Sequence, residues 1–114
     1  MTRLLPSLFI LLLGATLAFP HSEALHTSPA ANAVLQTAPR EVSVLFNQKV
    51  EAAAIAAEDA SGARVDQGNT RTESDGRVIR ASLKPLTAGA YTVKWRVKSA
   101  DTHTVEGTFS FRVR

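Results

Sequence analysis

The segment Ala90–Lys98 constrains the fold most, because its residues alternate strictly between apolar and polar side chains. The apolar positions are Tyr91, Val93, Trp95 and Val97, and the polar positions are Thr92, Lys94, Arg96 and Lys98. Successive side chains of a β-strand point to opposite faces of its sheet, so this pattern predicts a strand with one buried face. The only tryptophan of the chain is therefore predicted to face a core.

Six further segments carry strand signals with turn residues between them, which makes seven predicted strands in all. Glu51–Ala60 is rich in alanine and favours helix by intrinsic propensity, but its neighbours are strands and no N-cap immediately precedes it. We therefore predict a strand there and an all-β, seven-stranded antiparallel sandwich. The segment Leu86–Tyr91 has the Leu-x-x-Gly-x-Tyr form of a tyrosine corner, which is typical of Greek-key sandwiches. The other five segments are Leu25–Pro29, Glu41–Phe46, Ala63–Asp66, Arg77–Leu83 and Gly107–Arg114.

The amino terminus reads as a cleavable export signal. A positive charge at Arg3 precedes the mostly apolar run Leu4–Leu17, and small residues follow, as in secretory signal peptides. We predict a signal peptide over residues 1–20 and a single mature domain over residues 21–114, located in the periplasm. No later apolar run exceeds Ala52–Ala57, so the mature form is not expected to span a membrane.

Three cleavage positions remain open. A cut before His21 puts Pro20 at the position before the cut, where proline is unfavourable. A cut after Ala24 matches the small-x-small pattern better but removes His21. A cut after Ala18 leaves two residues ahead of His21.

Composition excludes several classes of site. The sequence has no cysteine, so neither disulfides nor thiolate metal ligands are available. Its formal net charge of +3 falls to +2 without Arg3, and the charges are scattered rather than gathered in a basic stripe. This pattern argues against nucleic-acid binding. The only methionine is Met1, which the predicted processing removes.

Asp101 and His103 form an Asp-x-His pair that can place a carboxylate and an imidazole on one side of an extended backbone. If cleavage exposes His21, its α-amine and ring add two nitrogens. Such a mixed nitrogen and oxygen set suits copper(II) in tetragonal geometry. Imidazoles bind a metal ion only in their neutral form, so the affinity for copper(II) should decrease as the pH drops through the histidine range near about 6.5. Asp101 either binds the ion directly or orients another ligand.

Simpler interpretations of these residues stay open. Asp101 can cap a turn of an ordinary hairpin loop and leave His103 solvated, although the predicted strands leave a connection longer than the about two to five residues of a tight hairpin. His21 can be part of a mobile terminus, and His26 a partly exposed strand residue. Cleavage after Ala24 would instead give His26 the terminal chelating role.

The chain resembles the CopC family of periplasmic copper-resistance proteins over essentially its whole mature length. The matching motifs are Leu25–Ala33 after an amino-terminal histidine, Val42–Phe46, Leu86–Trp95, Ser99–Thr104 and Gly107–Phe111. The resemblance implies a seven-stranded Greek-key barrel of cupredoxin-like or immunoglobulin-like kind. It also implies a copper(II) site formed by His21, Asp101 and His103. Some members bind copper(I) through a methionine-rich loop, which this sequence lacks.

The leading functional hypothesis is a copper(II) protein that sequesters the ion and passes it to a membrane partner, such as an inner-membrane transporter of the CopD type. One alternative is an enzyme, since a histidine brace, in which an amino-terminal histidine binds copper through its amine and its ring, also occurs in copper monooxygenases. The small domain and the inward-facing Trp95 argue against a substrate platform of exposed aromatic residues. A second alternative is a metal-free, immunoglobulin-like interaction module.

Overall fold

The computed structural model describes residues 22–114, so His21 and the predicted signal peptide lie outside the described residues. The described part consists of eight strands in chain order. No helix among these residues is long and apolar enough to cross a membrane. The strands are β1 (Ala24–Ser28), β2 (Ala33–Leu35), β3 (Glu41–Phe46), β4 (Val50–Asp59), β5 (Arg71–Thr72), β6 (Val78–Ser82), β7 (Gly89–Ser99) and β8 (Thr104–Val113).

The strands form two four-stranded sheets. The first sheet has the order β1-β3-β6-β5, and the second has the order β2-β8-β7-β4. Every pairing is antiparallel except that of β2 with β8, which is parallel. The longest continuous pairing joins β7 to β8 in an unbroken register from Gly89 opposite Val113 to Lys98 opposite Thr104.

The core lies between the two sheets and is made by the inward positions of alternating strands. Buried and accessible residues alternate along β3, β6, β7 and the second half of β8, as a period of two requires. Phe46 and Trp95 meet edge to face, with ring centroids 5.1 Å apart and an interplanar angle of 80°. This geometry is one that aromatic pairs prefer, and it joins the first sheet to the second.

The all-β sandwich is confirmed, but the number of strands is eight rather than seven. Residues 63–66 were predicted as a strand and form only isolated bridges, between Glu58 and Arg64 and between Asp66 and Leu83. Two short strands, β2 and β5, lie between the predicted strands, where no strand was expected. With three and two residues respectively, they are too short for alternation to reveal. The parallel pairing of β2 also departs from the predicted antiparallel arrangement.

The tyrosine corner is present. The Tyr91 hydroxyl donates a 2.6 Å hydrogen bond to the Thr87 carbonyl, and its ring stacks on Phe111 with centroids 5.4 Å apart. A buried phenol needs such a partner. Tyr91 therefore serves the fold, as the sequence predicts.

Asp66 protects the outer edge of β4, the last strand of the second sheet. Its side chain is only 1% exposed and accepts the Ala57 N–H at 2.9 Å and the Gly68 N–H at 3.0 Å. Arg64 donates to both carboxylate oxygens, at 2.6 and 2.8 Å. These contacts, led by the Arg64 hydrogen bonds, lower the pKa of Asp66 to about 2. The carboxylate thereby satisfies an edge N–H that would otherwise invite another strand.

We expect Asp66→Asn to lower the free energy of unfolding by about 2 kcal/mol at neutral pH, as the pKa shift from 3.8 to about 2 implies. Because the folded-state pKa is the lower one, this stabilisation is complete above about 3.8 and disappears as pH falls through about 2. Urea unfolding of both proteins should show the difference shrinking with acidification. Glu51→Gln, at an exposed position of the same strand, is the control. A difference that persists unchanged at the lowest pH would contradict the prediction.

Gly107 leaves room for the Trp95 ring, which is 8% exposed. The two residues lie opposite each other on β8 and β7. A Cβ atom at Gly107 would come within 2.3 Å of the indole Cζ2 atom and 2.6 Å of Cε2. These distances are far inside van der Waals contact, so the indole can lie against β8 only because residue 107 has no side chain.

We expect Gly107→Ala to destabilise the protein by about 1–3 kcal/mol, the usual cost of overpacking a filled core. Trp95 fluorescence should shift as the ring is displaced. Thr108→Ala changes an exposed neighbour on the same strand and should leave the spectrum unchanged. Equal stability of Gly107→Ala and the wild-type protein would show that the ring has space to move.

Candidate metal centre

The predicted pair Asp101 and His103 lies in the hairpin between β7 and β8. These strands extend to Ser99 and from Thr104, so the loop contains only residues 100–103. The expectation of a long connection is wrong, because β8 begins three residues before the predicted Gly107. The Ser99 carbonyl accepts the Thr102 N–H at 2.9 Å, and the Ser99 N–H donates to the His103 carbonyl at 2.8 Å.

The hairpin turn brings the carboxylate and the imidazole into contact. Thr102 has a φ of 72°, in the left-handed region that turn residues use. The Asp101 Oδ1 atom accepts the His103 N–H at 3.2 Å, and Oδ2 lies 3.0 Å from His103 Nδ1. Asp101 thus caps the turn, as the simpler interpretation predicts. It also contacts His103, but through a turn at Thr102 rather than along the extended backbone that the metal-site interpretation assumed.

Asp101 is held in its ionised form. A hydrogen bond from the Ser99 hydroxyl is the main cause that keeps the pKa of Asp101 well below its usual range, and the imidazole and N–H of His103 contribute further. The side chain of Asp101 is 30% exposed and that of His103 is 66% exposed. An anionic oxygen and a solvent-accessible imidazole therefore lie side by side at the tip of a hairpin.

This arrangement can hold a divalent metal ion in two ways. Metal bonds of about 2.0–2.1 Å that meet at right angles place neighbouring ligand atoms about 2.8–3.0 Å apart. The 3.0 Å between Asp101 Oδ2 and His103 Nδ1 matches such a separation, so both atoms could bind one ion when Nδ1 carries no proton. Alternatively, the Nδ1 proton stays on the Asp101 side and the ion binds Nε2, with Asp101 orienting the ring.

The chain enters the domain at the same end as the hairpin. The N–H of Glu23 donates to Asn47 Oδ1 at 2.7 Å, and the N–H of Asn47 donates to the Glu23 carbonyl at 3.0 Å. Three residues after Asn47, Val50 pairs with Ser99 at the base of the hairpin. His21 itself lies outside the described residues, but residue 22 begins the described chain beside the loop between β3 and β4.

The three predicted metal ligands are thus placed unequally. Asp101 and His103 are together, whereas His21 is not described. His26 is exposed on β1 opposite Leu45. Among residues 22–114, no group of three or more His, Cys, Asp or Glu side chains could hold a metal ion.

Sequence reasoning missed Ser99 as a member of the site. Ser99 follows Tyr91, Val93, Trp95 and Val97 on the inward face of β7, and it is fully buried. A polar residue at the end of an otherwise apolar face was the available signal, because buried hydroxyls normally have a specific hydrogen-bond partner.

Comparison with known proteins agrees with the fold. The sequence profile of the CopC domain matches residues 24–114. The chain belongs to the CopC domain family. The resemblance that the sequence motifs indicated is therefore confirmed.

The alignments with individual relatives cover very different shares of those proteins. The chain is 33% identical over 110 residues to copper transport protein CutJ of Bacillus subtilis, an alignment that covers 93% of this chain but only 20% of CutJ. It is 32% identical over 111 residues to copper resistance protein C of Xanthomonas campestris pv. juglandis, covering 90% of this chain and 87% of that protein. The crystal structure of CopC from Methylosinus trichosporium OB3b superposes with a TM-score of 0.76 at 31% identity, covering 82% and 93% of the two chains.

Proposed function

We propose that this protein is an exported copper(II)-binding protein that sequesters copper in the periplasm and delivers it to an inner-membrane transporter of the CopD type. Its role would be copper resistance and homeostasis. The observation that carries the proposal is the 3.0 Å pairing of Asp101 Oδ2 with His103 Nδ1 on an accessible hairpin tip. We assign the remaining donors to the α-amine and ring of His21, exposed by removal of residues 1–20.

The choice of copper(II) follows from the kinds of donor atom available. Imidazole, amine and carboxylate ligands in tetragonal geometry suit copper(II), whereas copper(I) prefers thiolate and thioether sulfur. The sequence has no cysteine, and its only methionine is Met1. The name of the Xanthomonas relative refers to copper resistance and that of CutJ to copper transport, which supports copper as the cargo.

The geometry of the chain entry supports His21 as the terminal ligand. Glu23 is hydrogen-bonded to the loop between β3 and β4, which is joined to the hairpin through Val50 and Ser99. His26 lies further along β1, opposite Leu45. The described chain therefore begins at the end of the domain that carries the hairpin, as the assignment of His21 requires.

We expect the purified exported protein to bind one copper(II) ion, seen as a d–d absorption band during titration. His103→Ala should weaken binding by more than about 100-fold, which is the upper range for losing a group that only orients a ligand. His26→Ala, another exposed histidine, is the matched control and should bind like the wild-type protein. A wild-type protein that fails to bind copper(II) would favour the metal-free interaction module.

The processed amino terminus can be identified by mass spectrometry of the exported protein, and we expect it to be His21. A form that begins at Leu25 should bind copper(II) much more weakly, because it lacks both the amine and the ring of His21. Equal affinity of that form, or a loss of binding in His26→Ala, would move the terminal chelate to another residue.

A further inference from the structure

Ser99 connects the core to the hairpin tip. Its side chain is completely buried, yet its hydroxyl reaches the loop and donates a short hydrogen bond to Asp101 Oδ1. The His103 carbonyl is a second, longer neighbour of the hydroxyl at 3.3 Å. Because the backbone of Ser99 also bonds to Thr102 and His103, this one residue holds the loop at three polar groups.

The two oxygens of Asp101 have different surroundings. Oδ1 accepts both the Ser99 hydroxyl and the His103 N–H, which occupies the two lone pairs of that atom. Oδ2 instead lies 3.0 Å from His103 Nδ1. The carboxylate therefore presents one oxygen, not two, on the side where the imidazole lies.

We propose that Ser99 is a positioning residue that fixes Asp101 as a one-oxygen ligand beside His103 and so sets the copper affinity of the hairpin. This inference rests on the proposed copper-binding function. One oxygen at a fixed place suits a tetragonal ion, whose neighbouring ligands lie at right angles. A carboxylate free to rotate would lose that alignment and would need to be ordered again on binding.

A purely structural role accounts poorly for a serine at this position. The preceding inward residues of β7 are apolar, and alanine would fill nearly the same volume. Ser99→Ala keeps the backbone hydrogen bonds of residue 99 to Thr102 and His103, so the hairpin itself should be retained. Loss of the hydroxyl should consequently affect the placement of the carboxylate more than the stability of the fold.

The test is Ser99→Ala in the exported protein, with copper(II) affinity measured by competition titration. We expect about 10- to 100-fold weaker binding, the usual effect of removing a group that orients a metal ligand, and an altered copper EPR spectrum. Ser110→Ala removes an exposed hydroxyl from β8 and should change neither. In the metal-free protein, the amide resonance of His103 should shift in Ser99→Ala, because its acceptor Asp101 moves.

A double-mutant cycle asks whether Ser99 acts through Asp101. In an Asp101→Ala background, Ser99→Ala should cause no further loss of affinity. Three outcomes would overturn the positioning role: Ser99→Ala binds copper(II) as tightly as the wild-type protein, it loses the same affinity in both backgrounds, or it unfolds. None of them would contradict copper binding by the wild-type protein. Failure of the wild-type protein to bind copper(II) would instead overturn the proposed function, and this inference with it.

Discussion

The contact between Phe46 and Trp95 across the two sheets is the interaction on which the rest of the structure depends. Trp95 is the largest side chain of the core, and it lies on β7, the strand that pairs with both β4 and β8. Its indole fits because Gly107 provides space on β8. The same register continues along β7 to Ser99, so the packing of the core determines where the hairpin turns and where Asp101 and His103 lie.

The edge of the second sheet is closed by side chains and by one short backbone bridge at Arg64, rather than by a full strand. Asp66 accepts the N–H of Ala57, and the Thr70 hydroxyl accepts the N–H of Ile55 at 3.0 Å. Both acceptors come from the polar connection that follows β4. Such side-chain caps satisfy an edge without extending the sheet, which explains why residues 63–66 return toward β4 yet do not form a full strand.

Much of the fold could be predicted because strands with one buried face repeat their pattern every second residue. The alternation along β3, β6 and β7 gave the core positions, and the tyrosine corner placed Tyr91. Shorter elements could not be found this way, because two or three residues contain no period. At the site, the Asp-x-His spacing indicated that Asp101 and His103 lie together, but a turn at Thr102 makes the contact rather than the expected extended backbone. The role of Ser99 was missed because its partner is determined by the turn, and turn geometry is not visible in the alternation.

The position of the hairpin has a consequence for how a bound ion could leave. Its two strands are joined by ten consecutive register pairs, from Gly89 opposite Val113 to Lys98 opposite Thr104, so melting of the loop would be a costly route to release. The imidazole of His103 faces solvent, where an incoming donor group can approach. For the proposed copper cargo, these features favour associative ligand exchange, in which the acceptor protein forms its first bond to the ion before the hairpin gives up its last.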